Sequence, residues 1–239
     1  MKKFAYLLIY IGFVTLCIIS CKKKEISEGL PNDLIKAKLD STLITNENTL
    51  LPAGVNAINS LPILFDGIHE KRIIIKSDAM VYVTFLSEGA GYTNSLGYYT
   101  YPLSEAPSKA NMTILFPNIS EVGSGGALTP GDIVQVGTGI IPKGTVLGFY
   151  LIANGWQDGQ ITDGLYTLFT DTIFNPNHTQ QSILNIEKTT GKLVLGFEDT
   201  LKGSVGNDMD CNDILISISD SKNPAVVPTA FDISNVPAL

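Results

Sequence analysis

Short apolar stretches alternate with polar breaks along most of the chain after residue 70. The stretches are rich in Val, Ile, Tyr, Phe and Thr, and Gly, Pro, Asn and Asp separate them, which is typical of β-strands joined by turns. Strands are predicted at 71–76, 79–86, 96–101, 111–116, 132–137, 145–153, 165–170, 181–186, 192–197 and 213–219. The spacing favours an all-β fold, an antiparallel sandwich or jelly roll in a single domain at 51–220.

One short helix is predicted ahead of these strands. Residues 33–39 (DLIKAKL) could form one or two helical turns, with Asn32 or Asp33 as the N-cap, and no other helix is predicted. No strand–helix–strand alternation occurs, which argues against a nucleotide-binding α/β sheet. Residues 221–239 contain three Pro and are predicted to form an extended C-terminal tail on the surface.

The first twenty residues have the pattern of a targeting segment. Lys2 and Lys3 precede an almost wholly apolar run at 4–20, which indicates a secretory signal peptide; the rival, a transmembrane helix, is disfavoured by the sequence that ends the run. The run ends in Ile-Ile-Ser-Cys, which resembles a bacterial lipobox, so cleavage is predicted before Cys21 and lipidation on its thiol. A plain signal peptide with an incidental Cys is the alternative.

Residues 21–50 are interpreted as the lipidated Cys and a polar tether that carries the short helix. With Cys17 removed and Cys21 acylated, Cys211 is the remaining thiol, so no internal disulfide is expected. The acyl chains would give a stable membrane anchor. The net charge of -7 argues against nucleic acid as a partner, since a phosphate backbone requires a basic face.

The densest polar cluster lies at 196–213 (GFEDTLKGSVGNDMDCND). Closely spaced oxygen ligands suit calcium, which takes six to eight oxygens, and calcium is the cofactor predicted. The spacing fails as an EF-hand, because Asp213 stands where that loop needs Gly and Ser219 where it needs Glu. A solvated acidic turn with Asx-type bonds is the alternative. The candidate ligands are Glu198, Asp199, Asp208, Asp210, Asn212 and Asp213.

No pattern in the chain indicates catalysis. His69 and His178 lack zinc-ligand spacing, and neither a G-x-S-x-G elbow nor a P-loop is present. Glu198 and Asp199 are adjacent, so on a strand they would point to opposite faces and would make a poor acid/base pair. A carboxylate hydrolase is therefore the least favoured function, and no enzymatic activity is predicted.

Two aromatic segments suggest a binding surface. Residues 92–101 are rich in Tyr, and 148–156 end in Trp156, the only tryptophan. Core packing is the default for such residues, but exposed Tyr and Trp are favoured at interfaces. Tyr98, Tyr99 and Trp156 are candidate ligand-binding residues in a carbohydrate-binding module or adhesin.

Three long motifs at 83–99, 148–156 and 196–213 resemble, in this order, the domain of unknown function of LruC-type bacterial outer-membrane lipoproteins. The resemblance covers about residues 70–219. It implies a β-sandwich-like domain in an envelope lipoprotein with no established catalytic activity. It also implies that Glu88 and Asn94 belong to the same pattern as the acidic cluster, which makes them candidates for additional metal ligands. Cys211 departs from the pattern, which tends to have an aromatic there.

These observations together predict a non-catalytic outer-membrane lipoprotein that faces the periplasm or the cell surface. It would present a calcium-stabilised β-sandwich for binding or structural work at the cell envelope. The predicted partners are the membrane, through the anchor at Cys21, and a glycan or an envelope protein. The carbohydrate-binding module remains the principal alternative.

Overall fold

Two antiparallel sheets packed face to face form the protein, as described by a computed structural model of residues 28–239. The predicted β-sandwich class is confirmed. Within these residues the strands are β1 (Ile35–Lys36), β2 (Ile73–Ile74), β3 (Tyr82–Glu88), β4 (Ser95–Pro102), β5 (Thr113–Phe116), β6 (Asp132–Gln135), β7 (Thr145–Ala153), β8 (Trp156–Gln157), β9 (Gln160–Ile161), β10 (Tyr166–Phe169), β11 (Ser182–Glu187), β12 (Lys192–Phe197) and β13 (Ile214–Ser219). The helices are α1 (Ser41–Leu50), α2 (Ala57–Ser60) and the 3₁₀ turns Pro62–Phe65, Thr172–Phe174 and Pro176–His178.

The strand order explains how distant parts of the chain meet. One sheet has the order β1-β6-β3-β13-β12-β11, and the other has the order β10-β7-β4-β5, with β2 also paired to β7. Each of these pairings is antiparallel. The ten predicted strands correspond to β2–β7 and β10–β13, whereas the short β1, β8 and β9 were not predicted.

The main core lies between the two sheets. Phe85, Phe149 and Phe197 are fully buried there, and burying such a side chain contributes roughly 1.5–3 kcal/mol. All residues of β12 and β13 are buried, because the outer face of their sheet is covered as well. That cover is the segment 41–65, which contains α1 and α2 and packs its Leu, Ile and Ala side chains on the sheet.

The helix prediction was wrong in its position. Instead of a helix at 33–39, Ile35 and Lys36 pair with β6, and Lys36 Nζ lies 2.6 Å from a carboxylate oxygen of Asp132. The helix begins at Ser41, after Asp40, whose side chain accepts a hydrogen bond from the Thr42 N–H at 2.9 Å. Side chains of Asp at an N-cap satisfy one of the free amides of the first turn.

The C-terminal segment, residues 221–239, does not only cover the surface, because part of it belongs to the core. Phe231 is 2% exposed and packs in the cluster between the sheets. Main-chain hydrogen bonds tie the tail to the rest of the fold, among them those from Lys76 N to Ala230 O and from Ile186 N to Pro237 O. The tail therefore contributes to folding rather than only covering the surface.

The predicted signal peptide at 1–20, the lipidation site Cys21 and the basic residues after it lie outside the described residues. Within residues 28–239, none of the helices has both the length and the apolar character needed to cross a membrane.

Candidate metal centre

The loop that joins β12 to β13 carries the candidate centre. The two strands pair up to Phe197 and Ile214, so the loop of residues 198–213 starts and ends at the same edge of the sheet. The loop folds back on β12 so closely that a Cβ at Gly196 would overlap the carbonyl oxygen of Cys211. The conformation of the loop therefore requires glycine at position 196.

Two residues of this loop adopt a left-handed backbone. Met209 has φ 55° and Cys211 has φ 56°, a conformation that is uncommon for residues other than glycine. Their side chains are buried in the apolar cluster between the sheet and the segment 41–65. Asp208 and Asp210, which alternate with them, carry their carboxylates to Glu198 instead.

Three carboxylates meet at this point. Ligand oxygens of Glu198, Asp208 and Asp210 all lie within 4.8 Å of one another. Glu198 and Asp210 are buried, whereas Asp208 is exposed. Among residues 28–239 this is the one group of three or more Asp, Glu, His or Cys side chains with ligand atoms this close. Like charges at such distances repel strongly when water is excluded.

Glu198 is the most confined of the three. Its Oε1 accepts hydrogen bonds from Thr200 Oγ1 at 2.5 Å and from Asn207 Nδ2 at 2.8 Å. Its Oε2 is buried and has no hydrogen-bond partner. Burial, followed by the nearby charges of Asp208 and Asp210, raises the pKa of Glu198 to about 7. The side chain therefore has one buried oxygen without a hydrogen-bond partner and lies within reach of the other two carboxylates.

Asp210 connects the centre to the helical segment. Its Oδ1 accepts a hydrogen bond from Asn212 N at 3.1 Å, and its Oδ2 accepts one from Gly54 N at 2.8 Å. Burial, more than the Asp208 charge, raises the pKa of Asp210. Two further hydrogen bonds join the same parts of the chain, from Ala57 N to Met209 O at 2.8 Å and from Asn212 Nδ2 to Leu51 O at 3.0 Å.

Asp199 and Asp213 form a second group that a hydrogen bond holds together. The Asp199 N–H donates to Asp213 Oδ2 at 2.6 Å, and Asn94 Nδ2 donates to Asp199 Oδ2 at 2.9 Å. Burial first, and the Asp199 charge second, raise the pKa of Asp213 to about 8. Asn94 is completely buried, and its Oδ1 accepts from Asn154 N at 2.8 Å. Both ends of the Asn94 amide are thus engaged by the protein.

Glu88 lies near this second group. Its Oε2 accepts from Glu121 N at 2.7 Å, whereas its Oε1 is buried without a partner. Burial raises the pKa of Glu88 to about 7, and the charges of Glu121 and Asp199 add to this effect. The hydrogen bond from the Glu121 amide acts in the opposite direction. Among the predicted ligands, the structure thus brings Glu198, Asp208 and Asp210 together, whereas Asp199 is hydrogen-bonded to Asp213 and Asn94.

The donor atoms indicate the kind of ion that the first group could hold. All three are carboxylate oxygens, which suit hard cations such as calcium and magnesium. Cys211 is a poor ligand for a soft metal, because burial and then the Glu198 charge raise the pKa of its thiol well above the ordinary value and only the thiolate binds metal well. The histidines lie elsewhere, and His69 Nδ1 is 2.6 Å from a carboxylate oxygen of Asp66.

The candidate aromatic surface is smaller than predicted. Tyr99 is completely buried, and its hydroxyl donates to Asp171 Oδ2 at 2.8 Å, so its ring has no face for a ligand. Tyr98 is partly buried and lines a cavity of about 380 Å³. Trp156 is also partly buried, and its main-chain oxygen accepts from Thr93 Oγ1 at 2.5 Å.

Sequence reasoning missed three residues that hold the centre in place. Thr200 and Asn207 orient Glu198, and Gly54 binds Asp210. The first two lie within the acidic loop and have side chains that commonly bond to nearby acceptors, so they could have been included. Gly54 is 156 positions from Asp210, and no local pattern links the two.

Part of the chain matches a known protein family. Residues 141–221 match the model of a domain of unknown function, DUF4114. The DUF4114 match covers about a third of the chain, from just before β7 to just after β13, and contains the whole loop 198–213. Glu88, Asn94 and the helical segment lie outside it. No curated protein and no solved structure matches the chain.

Proposed function

We propose that this chain is a non-catalytic envelope lipoprotein of the LruC type. It presents a calcium-stabilised β-sandwich for binding or structural work at the cell envelope. The calcium ion binds to Glu198, Asp208 and Asp210. The observation that carries the proposal is that Glu198, which has a buried and unpartnered Oε2, brings a carboxylate oxygen within 4.8 Å of oxygens of Asp208 and Asp210.

An ion accounts for features that a solvated turn leaves unexplained. In a solvated turn each carboxylate would be hydrated, but Glu198 is 1% exposed and Asp210 is 3% exposed. A buried acceptor without a partner costs about 1–3 kcal/mol, and more when it is charged. A divalent cation would neutralise the mutual repulsion and satisfy Glu198 Oε2 in one step.

Calcium fits the arrangement better than magnesium or zinc. Calcium accepts six to eight oxygens in flexible geometry, whereas magnesium requires a near-ideal octahedron and retains several waters. Exposed Asp208 leaves room for water to complete the shell. Zinc prefers nitrogen and sulfur donors, and this group supplies only oxygens.

The ion would also strengthen the attachment of the domain to its tether. Asp210 accepts a hydrogen bond from Gly54, and Asn212 donates to Leu51, so the calcium loop is bonded directly to the segment 41–65. That segment connects the sandwich to the N-terminal part of the chain, where the lipid anchor is proposed. A metal-stiffened junction suits a domain that is held at a membrane surface.

Glu198→Gln tests the metal centre in the chain from Lys22 onward. Without calcium, the variant should melt at a higher temperature than the wild type, because a neutral amide removes the buried charge and can donate to Asp208 or Asp210. With calcium at a hundred times its dissociation constant, the wild type should gain ~2.7 kcal/mol, a shift of several degrees for a domain of this size. The variant should not respond.

The exposed Glu105→Gln is the matched control and should behave as the wild type in EDTA and in calcium. Magnesium and zinc at equal concentrations identify the ion. If wild type and Glu198→Gln melt alike in EDTA and neither responds to calcium, the loop is a solvated turn and the proposed centre is wrong.

Cys21→Ser tests the anchor in cells. We expect it to abolish incorporation of labelled palmitate and to prevent cleavage of the leader, since lipidation needs the Cys21 thiol. Cys17→Ser lies in the same leader and should be lipidated and processed normally. Normal labelling of Cys21→Ser would show that Cys21 is not the modified residue.

A further inference from the structure

A buried glutamate lies at the contact between α1 and the outer face of the six-stranded sheet. Glu47 is the only charged side chain in α1 and is completely buried. It follows Leu43 by one helical turn, so the two side chains share the face that packs on the sheet. Both are the buried residues of this helix. A carboxyl group therefore occupies a position that packing alone would give to an apolar residue.

The partner of Glu47 is Asn185 in β11, which is also completely buried. Asn185 Nδ2 donates to Glu47 Oε1 at 3.0 Å. The two remaining oxygens of the pair, Glu47 Oε2 and Asn185 Oδ1, are both buried and have no hydrogen-bond partner. Both are acceptors when the carboxyl is ionised, so they cannot satisfy each other.

One proton on Glu47 Oε2 removes this conflict. The neutral acid has an O–H donor on the oxygen that lacks a partner, and Asn185 Oδ1 is the unsatisfied acceptor of the residue to which Glu47 is already hydrogen-bonded. Reversing the Asn185 amide does not achieve this, because it replaces the existing hydrogen bond with an oxygen–oxygen contact. Of the two protonation states of Glu47, only the protonated one supplies the donor that the two unpartnered oxygens need.

The surrounding charges favour the neutral form of Glu47. Glu187 follows Asn185 by two residues on the same face of β11, and its carboxylate accepts from Thr189 N, Thr190 N and Asn46 Nδ2. Although burial opposes it, the hydrogen bond from Thr190 Oγ1 and these three others hold the pKa of Glu187 at about 2, so it stays ionised. Burial raises the pKa of Glu47 to about 7, and the charge of Glu187 adds to this effect. The hydrogen bond from Asn185 acts in the opposite direction.

The other charged groups on the neighbouring elements are few. Lys188 lines the same cavity as Glu47 and Glu187, and so does Leu239. Lys192 of β12 lies opposite Glu187 in the register, and its Nζ donates to Val226 O at 2.5 Å. No hydrogen bond or ion pair joins any of these three to the Glu47 carboxyl among the described residues.

We propose that Glu47 and Asn185 form a proton-dependent latch that holds α1 on the six-stranded sheet. The latch closes when Glu47 is protonated and its O–H donates a hydrogen bond to Asn185 Oδ1. It loosens when Glu47 loses that proton to water. Loosening would expose the apolar cluster beneath α1, which contains Leu43, Ile183 and Val194. This inference goes beyond the proposed function and does not depend on a metal ion.

The direction of the pH effect follows from the raised pKa of Glu47. The latch is fully formed below the ordinary glutamate pKa of 4.5 and is lost as the pH rises through about 7. Over that interval opening of α1 should increase by up to about tenfold per pH unit and then level off. Alkaline conditions should therefore loosen the helical segment before the rest of the sandwich.

Hydrogen exchange in α1 of the wild type and of Glu47→Gln tests the latch. The glutamine amide of the variant can accept from Asn185 Nδ2 and donate to Asn185 Oδ1 at every pH. The ratio of the two exchange rates cancels the intrinsic pH dependence of exchange. We expect the exchange rate of the wild type divided by that of the variant to rise by about tenfold or more between pH 5 and pH 8, so that α1 is better protected in the variant at pH 8. Exchange in β3 and β13 should not change.

The exposed Glu105→Gln serves as the control, and its ratio to the wild type should be independent of pH. A constant ratio for Glu47→Gln would overturn the latch. A second result would also overturn it: in the Glu198→Gln variant at pH 8, calcium slows hydrogen exchange in α1. That result would mean that a cation, and not a proton, bridges Glu47 and Asn185. Failure of the calcium test at Glu198 leaves this experiment unaffected.

Discussion

Gly196→Ala is expected to destabilise the protein by about 2–3 kcal/mol and to weaken its affinity for calcium by more than tenfold. Alanine at a strand glycine ordinarily stabilises by roughly 0.5–1 kcal/mol, so the expected sign is reversed here. The reason is the close approach of the loop: a Cβ at Gly196 would overlap Cys211 O and would lie 3.1 Å from side-chain atoms of Ile183 and Leu215. The overlap is with backbone, which cannot rotate away.

The loop must shift to accept that methyl group, and the shift carries Asp210 with it. Urea unfolding in EDTA measures the stability, and calcium-dependent melting measures the response of the centre. Gly139→Ala is the matched control, since a Cβ there meets nothing within 4 Å, and it should differ from the wild type by less than about 0.5 kcal/mol. A Gly196→Ala variant with wild-type stability and wild-type calcium response would mean that the loop does not follow this path.

Asn94→Leu is expected to cost about 3 kcal/mol or more, although leucine is close in size and more apolar. Asn94 is completely buried and satisfies two groups, the Asp199 carboxylate through Nδ2 and Asn154 N through Oδ1. Leucine leaves both without that partner, and an unsatisfied buried charge costs more than the apolar gain returns. Urea unfolding of the variant measures the loss.

The calcium response of Asn94→Leu distinguishes two roles for this residue. If Asn94 positions Asp199, the variant should be less stable but should retain the wild-type calcium shift. If Asn94 is itself an additional ligand, the shift should shrink as well. Exposed Asn111→Leu provides the control for the substitution type and should change stability by less than about 0.5 kcal/mol. Wild-type stability of Asn94→Leu would contradict both roles.

The strands were predictable because their signal is local. In β7 and β12, for example, runs of Val, Leu, Ile and Phe bounded by Gly or Pro are enough to place an element within one or two residues. Helix α1 was missed because its sequence, STLITNENTL, is rich in Ser, Thr and Asn, which have low helix propensity. Its stability comes from Leu43 and Glu47 packing on the sheet, and most helical stability in proteins has this tertiary origin.

The candidate centre was predictable only as a set of residues. Density of carboxylates at 196–213 pointed to an oxygen-rich site, but six candidate ligands were treated as one group. The structure brings ligand oxygens of Glu198, Asp208 and Asp210 within 4.8 Å of one another, whereas Asp199 and Asp213 bond to each other. The left-handed residues Met209 and Cys211 then turn the loop so that Asp208 and Asp210 face Glu198.

Sequence alone determined the all-β class, the positions of the long strands and the acidic loop, since each depends on periodicity or composition within a few residues. Tertiary structure decided which carboxylates meet, which aromatic side chains are buried, and what covers the outer face of the sheet. Those outcomes depend on contacts such as Gly54 with Asp210, 156 positions apart, and Glu47 with Asn185, 138 positions apart. Local patterns contain no information about such pairs, because the strand order that brings them together is a property of the whole fold.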